Sequence, residues 1–444
     1  MENSKLAVGI LLLLSQFSFA QTTSFSLEDA KSYALEHNIA VKNADMDITI
    51  AEHQKRETIA MGLPQANITG SFNNFLNLPV QVLDASFFNP NAPAGELVSF
   101  RAGTDYSSSA TLNVNQLIFN GSYFVGVQLS KKYTEMQANA ATLTQEDVLF
   151  NVIQTYELAA VSKANVAFMD SIVTLTQNLV EKQQNYLELG LMLQEDMDQL
   201  NYGLFSAKQS LTQAKLQYNN ALELLKFSMG FPMDQSIEIT GDPNKMIESP
   251  KIESGDIHSN LSFQLMADQV TLSEFNVKNN KAAYMPTLNG YFQHGYNAYR
   301  NEFNFFNSDL DWFSQTSWGL QLNVPILSSG QRYYKTSQAK LALLKNQNSL
   351  EQMESSLTMQ EIQAKNNLTS ARSNYELQQE NVRLAQTIYE NQVTKQEIGK
   401  GNSIVVTQKY NQLVMAQAQL VGSTIELLNA QLALDKLYNN IIKN

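Results

Sequence analysis

The 444-residue chain contains no cysteine, so it can form no disulfide, offer no thiolate to a metal or substrate, and carry no lipid on a cysteine behind a leader. Charge is scarce as well. Asp, Glu, Lys and Arg make up 16% of the residues, against roughly 25% in average proteins. The formal net charge of -12 argues against nucleic acid or an anionic surface as the main partner. Long apolar runs are missing except for "LAVGILLLL", Leu6 to Leu14, followed by Ser18-Phe19-Ala20. A run this short with a small-x-Ala site behind it reads as a secretory signal over residues 1–20, because a membrane helix needs about 20 apolar residues. The mature chain then begins near Gln21, and losing Glu2 and Lys5 leaves the net charge unchanged. A mean hydropathy of -0.25 is too polar for a bundle of membrane helices. Asn, Gln, Ser and Thr fill the place of the missing charges.

Proline is the third scarcity, with 9 in all, none between Pro93 and Pro232 and none after Pro325. Nothing in those stretches forces a helix to break. Within them Val152, Ala159, Val166, Val173, Val180 and Leu187 recur every seven residues, as do Leu343, Leu350, Leu357, Ala364 and Ala371. That is a coiled-coil seam. Glycine punctuates each run, at Gly190 and at Gly399 and Gly401, and helix-forming sequence resumes afterwards.

Between the helical stretches the period changes to two. In "LPQANITGSF" Ala66, Ile68, Gly70 and Phe72 alternate with Asn67, Thr69, Ser71 and Asn73, and in "MPTLNGYF" Leu288, Gly290 and Phe292 alternate with Asn289, Tyr291 and Gln293. Each has a partner strand, with Ala110, Leu112 and Val114 against Thr111, Asn113 and Asn115, then Trp318, Leu320 and Leu322 against Gly319, Gln321 and Asn323. These are amphipathic strands. Pro64 and Pro286 stand 222 residues apart, Leu112 and Leu320 stand 208 apart, and both even offsets keep every strand's apolar face. The first hairpin loop is 14 residues the longer, and with Pro79, Pro90, Pro93 and Gly95 it reads as an irregular excursion.

The chain thus divides into a leader, residues 1–20, and two repeats separated by a connector at 231–256 that is rich in proline and charge. The first repeat, 21–230, comprises a half-length helix, a strand hairpin at 64–118, a long helix at 122–189 and a half helix at 195–228. The second, 257–444, comprises a half helix, a hairpin at 286–326, a long helix at 331–398 and a half helix at 403–437. In the connector "SIEIT" suits a small strand. Four two-faced strands cannot close a barrel, and an open edge cannot face lipid, so in a membrane several chains must share one. The alternative is a secreted coiled-coil structural or adhesion protein with small sheets packed on helices. Tyr296, Tyr299, Trp312, Phe313 and Trp318 would then be core, whereas in a barrel they would be interfacial belts.

Residues for catalysis or cofactor binding are not in evidence. His37, His53, His258 and His294 have no metal-ligand spacing, "GKGNS" at Gly399 lacks the P-loop spacing, and no G-x-S-x-G occurs. Met192 and Met197 read as packing. No enzyme, cofactor or metal site is implied.

"FSLEDAKSYALEHNIAVKNADMDITIAEHQKRETIAMGLPQANITGSF" resembles the opening of the TolC-like outer membrane efflux proteins, through Ser26, Leu27, Ala30, Ala34, Leu35, Asn38, Leu63 and Pro64. "NQLIFNG" and "NVPILSSG" are similar to the family's step from strand to long helix, with Leu117 where Pro325 stands in the second copy and the glycine pair reduced to Gly121 and Gly330. "MGFPMDQSIEIT" is similar to its entry into the connector. The resemblance implies an α+β membrane protein, a homotrimer with a twelve-stranded barrel, four strands per chain, continued by an α-helical coiled-coil tunnel across the periplasm. It implies a passive exit duct in efflux or type I secretion, with a periplasmic adaptor and an inner membrane transporter as partners. On that basis Leu189, Gly190, Leu191, Gly399, Lys400, Gly401 and Ser403 are the expected periplasmic tips that the adaptor grips, with Leu189, Leu191, Lys400 and Ser403 exposed. The family's acidic aperture ring falls here on Val405 and Gln408, which carry no charge, while Glu195, Asp196 and Asp198 follow the first glycine turn and are candidates for cation selectivity.

Overall fold

A computed structural model describes residues 23–248 and 255–442 of the protein. The expected leader and residues 249–254 of the connector lie outside them. The chain divides into two compact units, one of Met1–Thr49, Met136–Gln269 and Gln347–Asn444, the other of Ile50–Glu135 and Val270–Asn346.

The first unit is helical. Ser26 opens α1 (Leu27–His37) with a capping box, its hydroxyl accepting from the Asp29 amide at 3.2 Å while the Asp29 carboxylate accepts from the Ser26 amide at 3.1 Å. Two orphan donors of the first turn are thereby satisfied. The helix stops at Asn38, whose backbone is extended, and α2 (Ile39–Ala60) follows. Three strand residues, β1 (Thr23–Phe25), pair in parallel with β6 (Ile237–Ile239), and the Tyr156 hydroxyl donates to the Phe25 carbonyl at 2.9 Å. Much of the unit is built from residues 136–188 of α3 (Gly121–Glu188), α4 (Gln194–Met229), residues 347–397 of α7 (Gln331–Glu397) and α8 (Ser403–Leu437). At 68 residues α3 is about 100 Å long. None of the eleven heptad positions is exposed in the structure, and Val152 and Ala159 are completely buried. Small side chains there let the helices approach closely, and hydroxyl pairs such as Thr176 with Tyr389 at 2.8 Å close the seam.

Two asparagines make matching contacts at the start of the two halves. Asn38 donates its amide to the Ser228 carbonyl at 2.8 Å and accepts from the Ala40 amide, and Asn260 donates to the Leu437 carbonyl at 3.2 Å and accepts from the Ser262 amide. Each caps one helix and satisfies the end of another. The helix ends they meet are alike, since Gly230 and Asn439 both take the left-handed conformation there.

The second unit is centred on a four-stranded antiparallel sheet in the order β2 (Gln65–Asn74), β5 (Tyr106–Asn120), β7 (Thr287–Arg300), β8 (Phe313–Asn323). Register places Ile68 beside Leu112 and Ala66 beside Val114, then Val114 beside Phe292 and Phe292 beside Trp318. A bulge between Leu117 and Phe119 shifts the register by one residue and brings Phe119 beside Leu288. The expected irregular excursion is instead a second hairpin, β3 (Val80–Asp84) with β4 (Leu97–Arg101). The hairpin accommodates its prolines because Pro79 precedes β3 while Pro90 and Pro93 lie in the turn, where they cost no ladder bond.

Candidate functional site

Two features can act, the two-faced sheet and the pair of helix turns. Along the sheet one face carries Asn67, Thr69 and Ser71, then Asn113, Thr111 and Ser109, then Gln293 and Asn297, then Ser317 and Gln315. It is knit by its own side chains, Ser71 with Ser109 at 2.7 Å and Asn113 donating to Thr69 at 2.7 Å. No residue on that face is charged. The opposite face is apolar and open to the surroundings, with Ile68, Phe72, Trp318, Leu320 and Leu322 all exposed. Tyr296 on that face is exposed too, as are Tyr299 and Phe313, which register with Ser107 and Asn297 on the amide face, and Trp312 just before β8. A soluble sheet would bury such side chains in a core, and these are not buried. The outer edges of β2 and β8 have no strand beside them among the described residues.

The helix turns are built alike. Gly190 and Gly399 have φ of 70° and 71°, a conformation that costs a residue with a Cβ about 1–2 kcal/mol. In each, a crossed pair of bonds closes the preceding helix: Gly190 to the Leu187 carbonyl and Leu191 to that of Tyr186, then Gly399 to Gln396 and Lys400 to Lys395. The two turns belong to one bundle. The Gln183 amide donates to the Gln396 carbonyl at 2.9 Å, Lys182 pairs with Glu397 at 3.0 Å, and Met197 and Val406 share one core.

Leu189 and Leu191 are exposed, as are Gly190, Gly399 and Lys400, and Gly401 is half-buried. Ser403 is not exposed. At 0% exposure it accepts from the Gln396 amide at 3.3 Å, because it opens α8 on the side that faces the bundle. Sequence reasoning missed Leu193, Ile398 and Ile404, which are also exposed and complete an apolar rim around the turns. Their signal was the placing of large apolar residues just outside the seam.

The acids differ in setting. Glu195 and Asp198 are exposed, Asp196 is half-buried, and Asp198 accepts from Gln194 at 2.8 Å. Leu193, at the N-cap of α4, supplies no side-chain acceptor, whereas Asn402 at the corresponding place accepts from the Ile404 and Val405 amides. The first turn of α4 therefore draws on acids for what α8 obtains from its cap. Val405 is half-buried and Gln408 exposed, side by side with that acidic turn through the bond of Thr407 to the Gln199 carbonyl at 3.4 Å.

Residues 257–440 match the family described as outer membrane efflux protein. Among curated proteins none matches by sequence. The fold is similar to solved structures over 93% of the chain. CusC, described for its folding and transmembrane channel formation, has a TM-score of 0.73, 15% identity and 91% of its own chain covered. The Campylobacter jejuni CmeC outer membrane channel follows with 0.69, 16% and 85%, and Vibrio cholerae VceC with 0.66, 13% and 95%.

Proposed function

We infer that this chain is a TolC-like outer membrane efflux protein, a channel of the outer membrane whose helices form a periplasmic tunnel, a reading supported by the family match over residues 257–440 and by the shared fold. Three copies each contribute four strands to one twelve-stranded barrel. The observation that carries this reading is the sheet with both edges unpaired and one face apolar. Such an edge is tolerable in lipid only when another strand satisfies it. A second apolar stripe on α7, with Met359, Ile362, Leu377, Leu384 and Ile388 exposed, supports contact between copies along the helices as well.

The apolar sheet face meets lipid and the amide and hydroxyl face lines the duct. With no fixed charge on that lining, the barrel passes cargo of either sign, and any ionic preference arises elsewhere, at Glu195, Asp196 and Asp198. Channels of this family work with a periplasmic adaptor and an inner membrane transporter that supplies the energy. In this chain the apolar rim of Leu189, Leu191, Ile398 and Ile404 around the glycine turns is the surface for the adaptor. Stepwise conductance of the purified protein in a planar bilayer tests the channel. A water-soluble, non-conducting monomer would overturn it.

A further inference from the structure

β3 and β4 form a ribbon with unequal faces. Gln81 beside Phe100 and Leu83 beside Val98 lie on one face, and Val80 beside Arg101, Val82 beside Ser99 and Asp84 beside Leu97 lie on the other. The first face has company within the chain, since the Phe88 ring meets that of Phe100 edge-on with centroids 5.8 Å apart. The second is bare. Val82 is 54% and Leu97 68% exposed, and Leu76 in the link from β2 is exposed too. A two-stranded ribbon is marginal in water by itself, and uncovered apolar side chains add nothing to it.

Topology indicates what could cover that face. β2 and β8 are the free edges and run antiparallel to each other, so the end of β2 at Asn74 and the start of β8 at Phe313 lie at the same end of the sheet. A second copy that pairs its β8 with β2 therefore brings its 301–312 loop beside the root of the hairpin. That loop is aromatic. Phe303 and Phe305 pack on Phe72 of their own chain, Phe303 also touches Phe306, and Phe306, 92% exposed, is the ring left open to a neighbour.

We propose that the β3–β4 hairpin is an intersubunit clasp, its bare face of Val80, Val82 and Leu97 seated on the aromatic 301–312 loop of the adjoining copy. The proposal rests on the shared barrel, and extends it from the strand edges to the loops beyond. Each chain would then hold its neighbour twice, by backbone pairing in the barrel and by side chains at its mouth.

Because the chain has no cysteine, introduced thiols give a clean test. Full-length protein carrying Val82→Cys with Phe306→Cys, or Leu97→Cys with Phe303→Cys, is purified in detergent, its native mass is measured, and a short flexible bis-maleimide is added. Covalent dimers and trimers on denaturing gels are expected from at least one pair. A native trimer that yields only monomer bands from both pairs overturns the clasp and leaves the channel standing, whereas a monomeric native mass for the unsubstituted protein in the same detergent defeats the shared barrel itself. Val82→Ser with Leu97→Ser supplies the second readout. The temperature at which detergent dissociates the trimer should fall while conductance stays unchanged. An unchanged temperature means that the face meets lipid or water and sinks the proposal.

Discussion

Glu146 on α3 is buried to 1% exposure, and one of its carboxylate oxygens has no hydrogen-bond partner. Burial pushes its carboxyl up to about 7, with the Lys436 ammonium opposing and the Asp147 carboxylate adding to the rise. The folded chain therefore holds a proton that the unfolded chain releases. This contribution leaves stability intact below about 4.5, lowers it as the pH rises to about 7, and is constant above that. Glu146→Gln removes the penalty, so melting at pH 8 should be higher than in the wild type and the decline between pH 5 and 7 shallower. An identical slope in both proteins would contradict the assignment. At the acidic turn, Glu195→Gln, Asp196→Asn and Asp198→Asn together should move the reversal potential in a salt gradient toward zero. Unchanged potential with a lower melting temperature would leave these acids only the helix-end role, worth about 0.3–1 kcal/mol each. Individual roles of this kind were only partly legible in the sequence. The glycines of the turns could be read because a left-handed backbone selects glycine, but the burial of Ser403 depends on which side of α8 faces the bundle. A seven-residue repeat read on α7 alone does not say that.

At the scale of elements, periodicity carried most of the fold. The long helices end within one residue of the positions read from the glycines, because glycine and the lack of proline mark such ends directly. The break at Asn38 was not legible. Asparagine is only mildly unfavourable inside a helix, and its bond to the Ser228 carbonyl spans 190 residues. Asn38→Ala and Asn260→Ala should each lower stability by about 1–2 kcal/mol, seen as earlier thermal melting, since each removes a cap and strands a carbonyl. A loss no larger than that of an exposed Asn→Ala control would contradict this. The sheet's faces are tested by charge. Asn113→Glu lies on the uncharged face and should confer cation preference on the conductance, while Leu112→Glu, on the opposite face, should impair insertion into membranes. The reverse pattern would invert the lining. For the helix turns, Leu191→Glu should leave conductance intact and abolish export in cells. Export at the wild-type level would remove this residue from the adaptor surface.

For the whole molecule, the sequence already contains the argument for assembly in its four two-faced strands, because a sheet with free edges and an apolar face is incomplete in lipid. What no reading of one chain could supply is the neighbour. On the proposed assembly, the stripe on α7 and the bare face of the hairpin would meet further copies, while the exposed apolar face of the sheet would meet lipid. The most direct test is the mass of the species that conducts. Protein purified in detergent is weighed by native mass spectrometry, and the same fraction is placed in a planar bilayer. A mass of three mature chains in the conducting fraction is expected. A conducting fraction with the mass of one chain would contradict the shared barrel.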